Sequence, residues 1–216
     1  MRTITVRGTG NVSLRPDLTV VTMTLRTLDE SYDISMEKSA KMLDALTLSL
    51  EAAGFAKDQL KTSDYNVSTE YESVRDENGN YRNVFKGYAC VLGLKLEFAF
   101  DTAVLSKVLS AIAGCVAEPE LTVRFTVSDK ENAAEMLLRD ASANAKKKAQ
   151  ILADASGVGL GELVSVDYSL GEKDLHSPTN YRMDAKCMAF GNAVNMDIVP
   201  EDVRIRDTVT FVWSIE

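Results

Sequence analysis

The chain has 216 residues, 45% of them hydrophobic and 26% charged, with a formal net charge of -8. That apolar share supports one large core or two smaller ones and excludes a chain disordered as a whole. The acidic balance argues against a nucleic-acid partner, which needs a basic surface to neutralise phosphates, and no apolar run approaches the roughly 18 residues of a membrane span.

Met1-Arg2-Thr3-Ile4-Thr5-Val6 alternates like a strand and lacks the apolar core of a signal peptide. As it stands the sequence reads as cytoplasmic, or as exported if a leader has been removed. Residues 3–15 form a strand interrupted at Gly8-Thr9-Gly10, Pro16-Asp17 makes a turn, and residues 18–28 alternate in β-branched positions, so the two strands are expected to form a hairpin. The period then changes. Met36, Ala40, Leu43, Leu46, Leu50 and Ala53 recur at three- and four-residue steps, one face of a helix that Asp29 or Ser31 caps and Gly54 ends.

Residues 62–75 and 81–100 form a second strand pair around Asp76-Glu77-Asn78-Gly79-Asn80, where Asn-Gly supplies the positive φ of a hairpin turn. Gly93 marks a bend at which the long second strand can leave one sheet for another. Asp101 caps a short helix ended by Gly114, and Pro119 opens a strand through Val127. Ser128 and Glu131 have capping-box spacing before a long alanine-rich helix, with Ala134, Leu138, Ala141, Ala145, Ala149 and Leu152 as its inner stripe. Residues 162–170 form a strand. Residues 171–195 break the pattern and read as a long loop, and residues 203–213 alternate as a closing strand.

Several landmarks resemble the SIMPL-domain family, long catalogued as a domain of unknown function. They are Val6-Arg7-Gly8-Thr9-Gly10 with Pro16-Asp17, then Ala53-Gly54-Phe55 with Leu60-Lys61-Thr62 and Tyr65, and Tyr71 with Lys86-Gly87-Tyr88. Ala145-Lys146-Lys147-Lys148-Ala149 with Leu152-Ala153 and Gly157 follows, then Leu160-Gly161-Glu162 and Val199-Pro200-Glu201-Asp202-Val203. The resemblance covers nearly the whole chain. It implies an α+β fold of two sandwich-like modules, a tendency to oligomerise and no established enzymatic activity. It also implies bacterial members mostly exported to the envelope, some linked to oxidative-stress tolerance, and a vertebrate branch associated with signalling kinases.

The expected architecture is α+β, with two two-layer α/β sandwich modules and antiparallel or mixed sheets. Residues 1–92 with 196–216 form the first module. Residues 93–170 form the second, ferredoxin-like in its strand-helix-strand-helix-strand order, and 171–195 is a loop excursion.

No catalytic, cofactor-binding or metal site is expected. The glycines at 8 and 10 lack the third glycine and the following helix of a dinucleotide loop. His176 is the sole histidine, which removes a histidine triad and a multi-histidine metal site. Cys90, Cys115 and Cys187 have no zinc or redox spacing; the first two read as core and Cys187 as a loop thiol. Asp64 and Asp167 form a carboxylate pair only if the two halves face each other. Lys146, Lys147 and Lys148 read as the solvated side of their helix.

Tyr71, Tyr81, Phe85 and Tyr88 surround the hairpin turn and suit either an interface anchor or cross-strand packing. Tyr181, Met183 and Phe190 raise the same question in the excursion, as does Met188. The expectation is a non-enzymatic, self-associating protein that acts through protein partners. The alternative is a small-ligand module with a site between modules or subunits.

Overall fold

The computed structural model describes residues 2–75, 80–169, 171, 174–183 and 198–216. Its elements are β1 (Thr3–Leu14), β2 (Leu18–Asp29), α1 (Tyr32–Ala52), β3 (Lys61–Arg75), β4 (Tyr81–Ala99), α2 (Thr102–Ala113), β5 (Glu120–Thr126), α3 (Lys130–Ala155), β6 (Leu160–Asp167), β7 (His176–Met183) and β8 (Val203–Ile215). The fold is α+β, with a three-stranded sheet β1-β8-β6 and a five-stranded sheet β3-β4-β2-β5-β7. Residues 1–17, 126–178 and 200–216 form one compact unit, and residues 18–125 and 179–199 a second.

β1 and β2 do not form the expected hairpin. β1 pairs antiparallel with β8 from Thr3↔Ser214 to Leu14↔Val203 without a break, so the Gly8-Thr9-Gly10 segment is not a bulge. The glycines serve a different purpose. A Cβ at Gly8 would collide with the carbonyl oxygen of Ala141, and one at Gly10 with that of Leu137. Two bare positions on the inner face of β1 therefore let α3 lie directly on the strand, which explains why β1 leaves β2 for the unit that holds α3.

α3 presents Ala133, Leu137, Ala141, Ala145, Ala149 and Ala153 to the sheet, all buried. This stripe starts one residue before the expected one, and Ala134 and Leu152 are exposed. Asp129 caps the helix by accepting from the amide of Asn132, in place of the expected Ser128. Ser128 instead donates its amide and hydroxyl to the Asp17 carboxylate. Val6, Val209, Phe211 and Trp213 complete the core against the alanines, with the Phe211 and Trp213 rings stacked 5.3 Å apart.

The second unit runs β2-α1-β3-β4-α2-β5, the ferredoxin-like order, over residues 18–125 rather than the expected 93–170. The boundary moves because Gly93 does not redirect β4. That strand stays in one sheet, paired with β2 from Leu18↔Ala99 to Asp29↔Tyr88 and with β3 along its other edge. Gly93 faces a bulge in β3 between Thr62 and Asp64, where Ser63 and Asp64 crowd its Cβ position. Val21, Met23, Leu25, Leu94, Leu96, Leu105, Val108, Ile112, Val123 and Phe125 are buried between sheet and helices.

α1 buries Leu46 and Leu50 as expected, but at its start it buries Ser35 and Ser39 in place of Met36 and Ala40. Small side chains let the first turns sit close to β2, where Thr27 donates its hydroxyl to the Ser35 carbonyl. Residues 176–183, expected as loop, form β7 and extend this sheet beyond β5.

Candidate interaction surfaces

β3 and β4 pair well past the end of β2. The β2 ladder stops at Asp29↔Tyr88, whereas β3 continues from Thr69↔Tyr88 to Arg75↔Tyr81. The outer stretch is a two-stranded arm exposed on both faces. Gly87 allows the departure: its φ is +143°, and a Cβ there would collide with the Asp29 backbone where β2 ends. A register shift between Glu70 and Tyr71 lies at the same level.

One face of the arm carries Tyr71 opposite Phe85 and Arg75 opposite Tyr81. Tyr71 and Phe85 meet edge to face at 5.7 Å, Phe85 and Tyr88 at 5.4 Å, and Tyr88 and Tyr32 at 5.7 Å, giving a continuous row of four rings. Cross-strand packing and exposure therefore coexist. Tyr71 and Phe85 touch, yet they are 59% and 42% exposed, and Tyr81, outside the row, is 74% exposed. The opposite face sets Val84 beside Glu72 and Arg82 beside Val74, with Lys86 Nζ 3.5 Å from Glu72. Arg26 on β2 pairs with Glu70 at the base.

The three-stranded sheet has two unlike edges. Along β1, α3 closes the backbone: Asn144 accepts the Thr9 amide at 3.0 Å, Asp140 accepts the Asn11 amide at 2.8 Å, and Lys148 donates to the Arg7 carbonyl at 3.1 Å. These three side chains are spaced by one helical turn and match alternate strand residues, whose polar groups point outward. Along β6 the described residues provide no such cover. Glu162 to Asp167 are all exposed, including Leu163, Val164 and Val166.

The remaining candidates fall as follows. Tyr181 and Met183 lie half-buried on β7 against the core of the second unit, which draws them away from a free surface. Phe190, Met188 and Cys187 lie outside the described residues. Cys90 and Cys115 are buried free thiols. His176 is half-buried at the start of β7, with Nδ1 2.6 Å from Asp174 Oδ1. Asp64 and Asp167 are exposed on edge strands of different sheets. Among the described residues no three His, Cys, Asp or Glu side chains group as metal ligands, and no helix is long and apolar enough to cross a membrane.

Asp29 ends β2 beside the arm base. A hydrogen bond from Lys38 Nζ at 2.7 Å, and another from the Ser31 amide at 2.9 Å, hold its carboxyl below the usual carboxylate range. Desolvation, then the neighbouring Cys90, pushes the Tyr65 phenol up, and its hydroxyl reaches Met36 Sδ at 3.1 Å.

A two-unit α+β chain with an aromatic arm and a β6 edge that no described residue covers is the class that fold and surface define. The chain belongs to the SIMPL family, described as a protein of unknown function (DUF541), whose profile matches residues 4–213. It is also similar to the 26 kDa periplasmic immunogenic proteins of Brucella melitensis biotype 1 and Brucella abortus strain S19. Each is 29% identical over 170 residues, 76% of this chain and 65% of the relative. The match thus spans just under two thirds of those relatives' length. Their names overturn the cytoplasmic expectation, because a strand-like N-terminal stretch carries no information about where the chain resides.

Proposed function

We propose that the chain is a non-enzymatic, self-associating protein that acts through protein–protein contacts and, like its named relatives, in the periplasm. The arm carries this reading. An isolated two-stranded ribbon is marginal in water, and this one holds Tyr71 and Tyr81 mostly, and Phe85 partly, in solvent. Aromatic side chains on a projecting ribbon are the residue type that dominates interface anchors. A partner surface would cover them and stabilise the ribbon in the same step.

The test is light scattering after size exclusion over a concentration series. The unmodified chain is expected to assemble, and the Tyr71→Ser/Tyr81→Ser/Phe85→Ser variant to dissociate at concentrations at least about tenfold higher, since each anchor lost typically costs more than about 1 kcal/mol. An unmodified chain that stays monomeric at high micromolar concentration would end the proposal.

A further inference from the structure

The outer edge of the arm and the outer edge of β6 carry opposite charges. On β4, beyond the reach of β2, the order is Tyr81-Arg82-Asn83-Val84-Phe85-Lys86. Arg82 and Val84 lie on the Glu72 face, opposite to Phe85, and Lys86, the extra residue where β4 shifts register on β3, reaches Glu72 on that face, so two cations flank a valine. On β6 the order is Glu162-Leu163-Val164-Ser165-Val166-Asp167. The chain spacing between its two carboxylates is one residue longer than that between the cations. Both strands are irregular here: β6 shifts register on β8 between Leu160 and Leu163 and again between Leu163 and Ser165, and β4 shifts on β3 beside Lys86. Each shift places two residues against one, so both edges bend locally, and the two carboxylates bracket the exposed Leu163, Val164 and Val166 as the two cations bracket Val84.

We propose that the arm of one copy adds as a strand to the β6 edge of a second copy, antiparallel, with Lys86 toward Glu162 and Arg82 toward Asp167. This rests on the self-association proposed above and says where the arm docks. Main-chain hydrogen bonds to a strand edge that no described residue covers supply the affinity, and alternate side chains supply the register. The charge pattern selects the occupant. Two β6 strands paired antiparallel about their centre would set Glu162 against Asp167, like charge against like charge. Two copies at net charge -8 repel at long range, so a contact that joins basic to acidic sites is the one that overcomes it. The middle of the β1 edge is less open, because Asp140, Asn144 and Lys148 already take the Asn11 and Thr9 amides and the Arg7 carbonyl. Lys86 would exchange or share its present partner Glu72.

A mixing experiment on the full chain tests this. One variant carries Arg82→Glu/Lys86→Glu and the other Glu162→Lys/Asp167→Lys, each checked for folding by circular dichroism, and all samples are sized by light scattering. Each variant alone pairs like charges and is expected to dissociate at concentrations at least about tenfold above the unmodified chain. An equimolar mixture restores both pairings, since the acidic edge of the first meets the basic arm of the second and the acidic arm meets the basic edge. The mixture is therefore expected to assemble like the unmodified protein, a recovery that misfolded chains cannot give. If the unmodified chain is monomeric, the self-association reading falls and this one with it. If the unmodified chain assembles and either variant alone assembles equally well, or the mixture does not recover, the arm-to-β6 docking is wrong while self-association stands.

Discussion

Gly8 and Gly10 illustrate how a single position can set the architecture. Read in one dimension they look like an interruption of a strand. In three dimensions they are the places where α3 touches β1, with Ala141 and Ala145 on the other side of the contact. The signal is present in the sequence as two glycines two apart, on one strand face, and a run of alanines four apart on a helix. Period alone finds each half, but nothing local says that the halves meet across some 130 residues. Gly8→Ala places a methyl against backbone that cannot rotate away, and overpacking of this kind costs about 3 kcal/mol. The thermal midpoint of the variant is expected to fall by about 6–12 °C, read by circular dichroism. An unchanged midpoint would show that the helix can shift outward at no cost.

At the scale of elements, the strands with clear alternation and the helices with clear stripes are legible: α1, α2, α3, β4 and β8 lie close to where residue periodicity puts them. Partners are not. Consecutive strands usually pair, which directs β1 to β2, whereas the long β1–β8 ladder depends on residues some 200 apart. β7 is hidden because Ser177, Pro178, Thr179 and Asn180 are turn formers by composition, and tertiary pairing beside β5 overrides that preference. The aromatic arm is legible as residues, since Tyr71, Tyr81 and Phe85 flank a strong turn. That it projects beyond β2 depends on where β2 ends.

The sealed β1 edge is not legible at all, since Asp140, Asn144 and Lys148 look like ordinary solvated positions. Their role is testable. In Asp140→Ala/Asn144→Ala the amides of Thr9 and Asn11 lose their acceptors. Each net hydrogen bond contributes about 1 kcal/mol, so hydrogen exchange at these two amides is expected to quicken roughly fivefold where exchange proceeds through local opening. Exchange that is unchanged at both would mean that α3 shields the edge by bulk alone.

For the whole molecule, chain order and spatial order disagree. One unit is assembled from three separated stretches, residues 1–17, 126–178 and 200–216, while the other has most of its structure in the continuous stretch 18–125. β8 is the middle strand of the three-stranded sheet and contributes Val209, Phe211 and Trp213 to its core. Deleting residues 203–216 removes the partner of both β1 and β6 and much of the apolar surface under α3. Amide protection mapped by hydrogen exchange is expected to vanish in β1, α3 and β6 and to persist in β2, β4, α1 and α2. Loss of protection in every element would show that the second unit depends on the first for its stability.

The β1–β8 ladder also sets how the molecule bears load. Thr3 lies opposite Ser214 at one end of the ladder, and Leu14 lies opposite Val203 at the other. Tension applied through the strand ends at Thr3 and Ser214 therefore pulls across the ladder rather than along it. The hydrogen bonds of an antiparallel pair run perpendicular to the strands, so they give way in succession instead of resisting together. A tether attached at those two residues would peel the strands from each other at low force, beginning at Thr3 and Ser214.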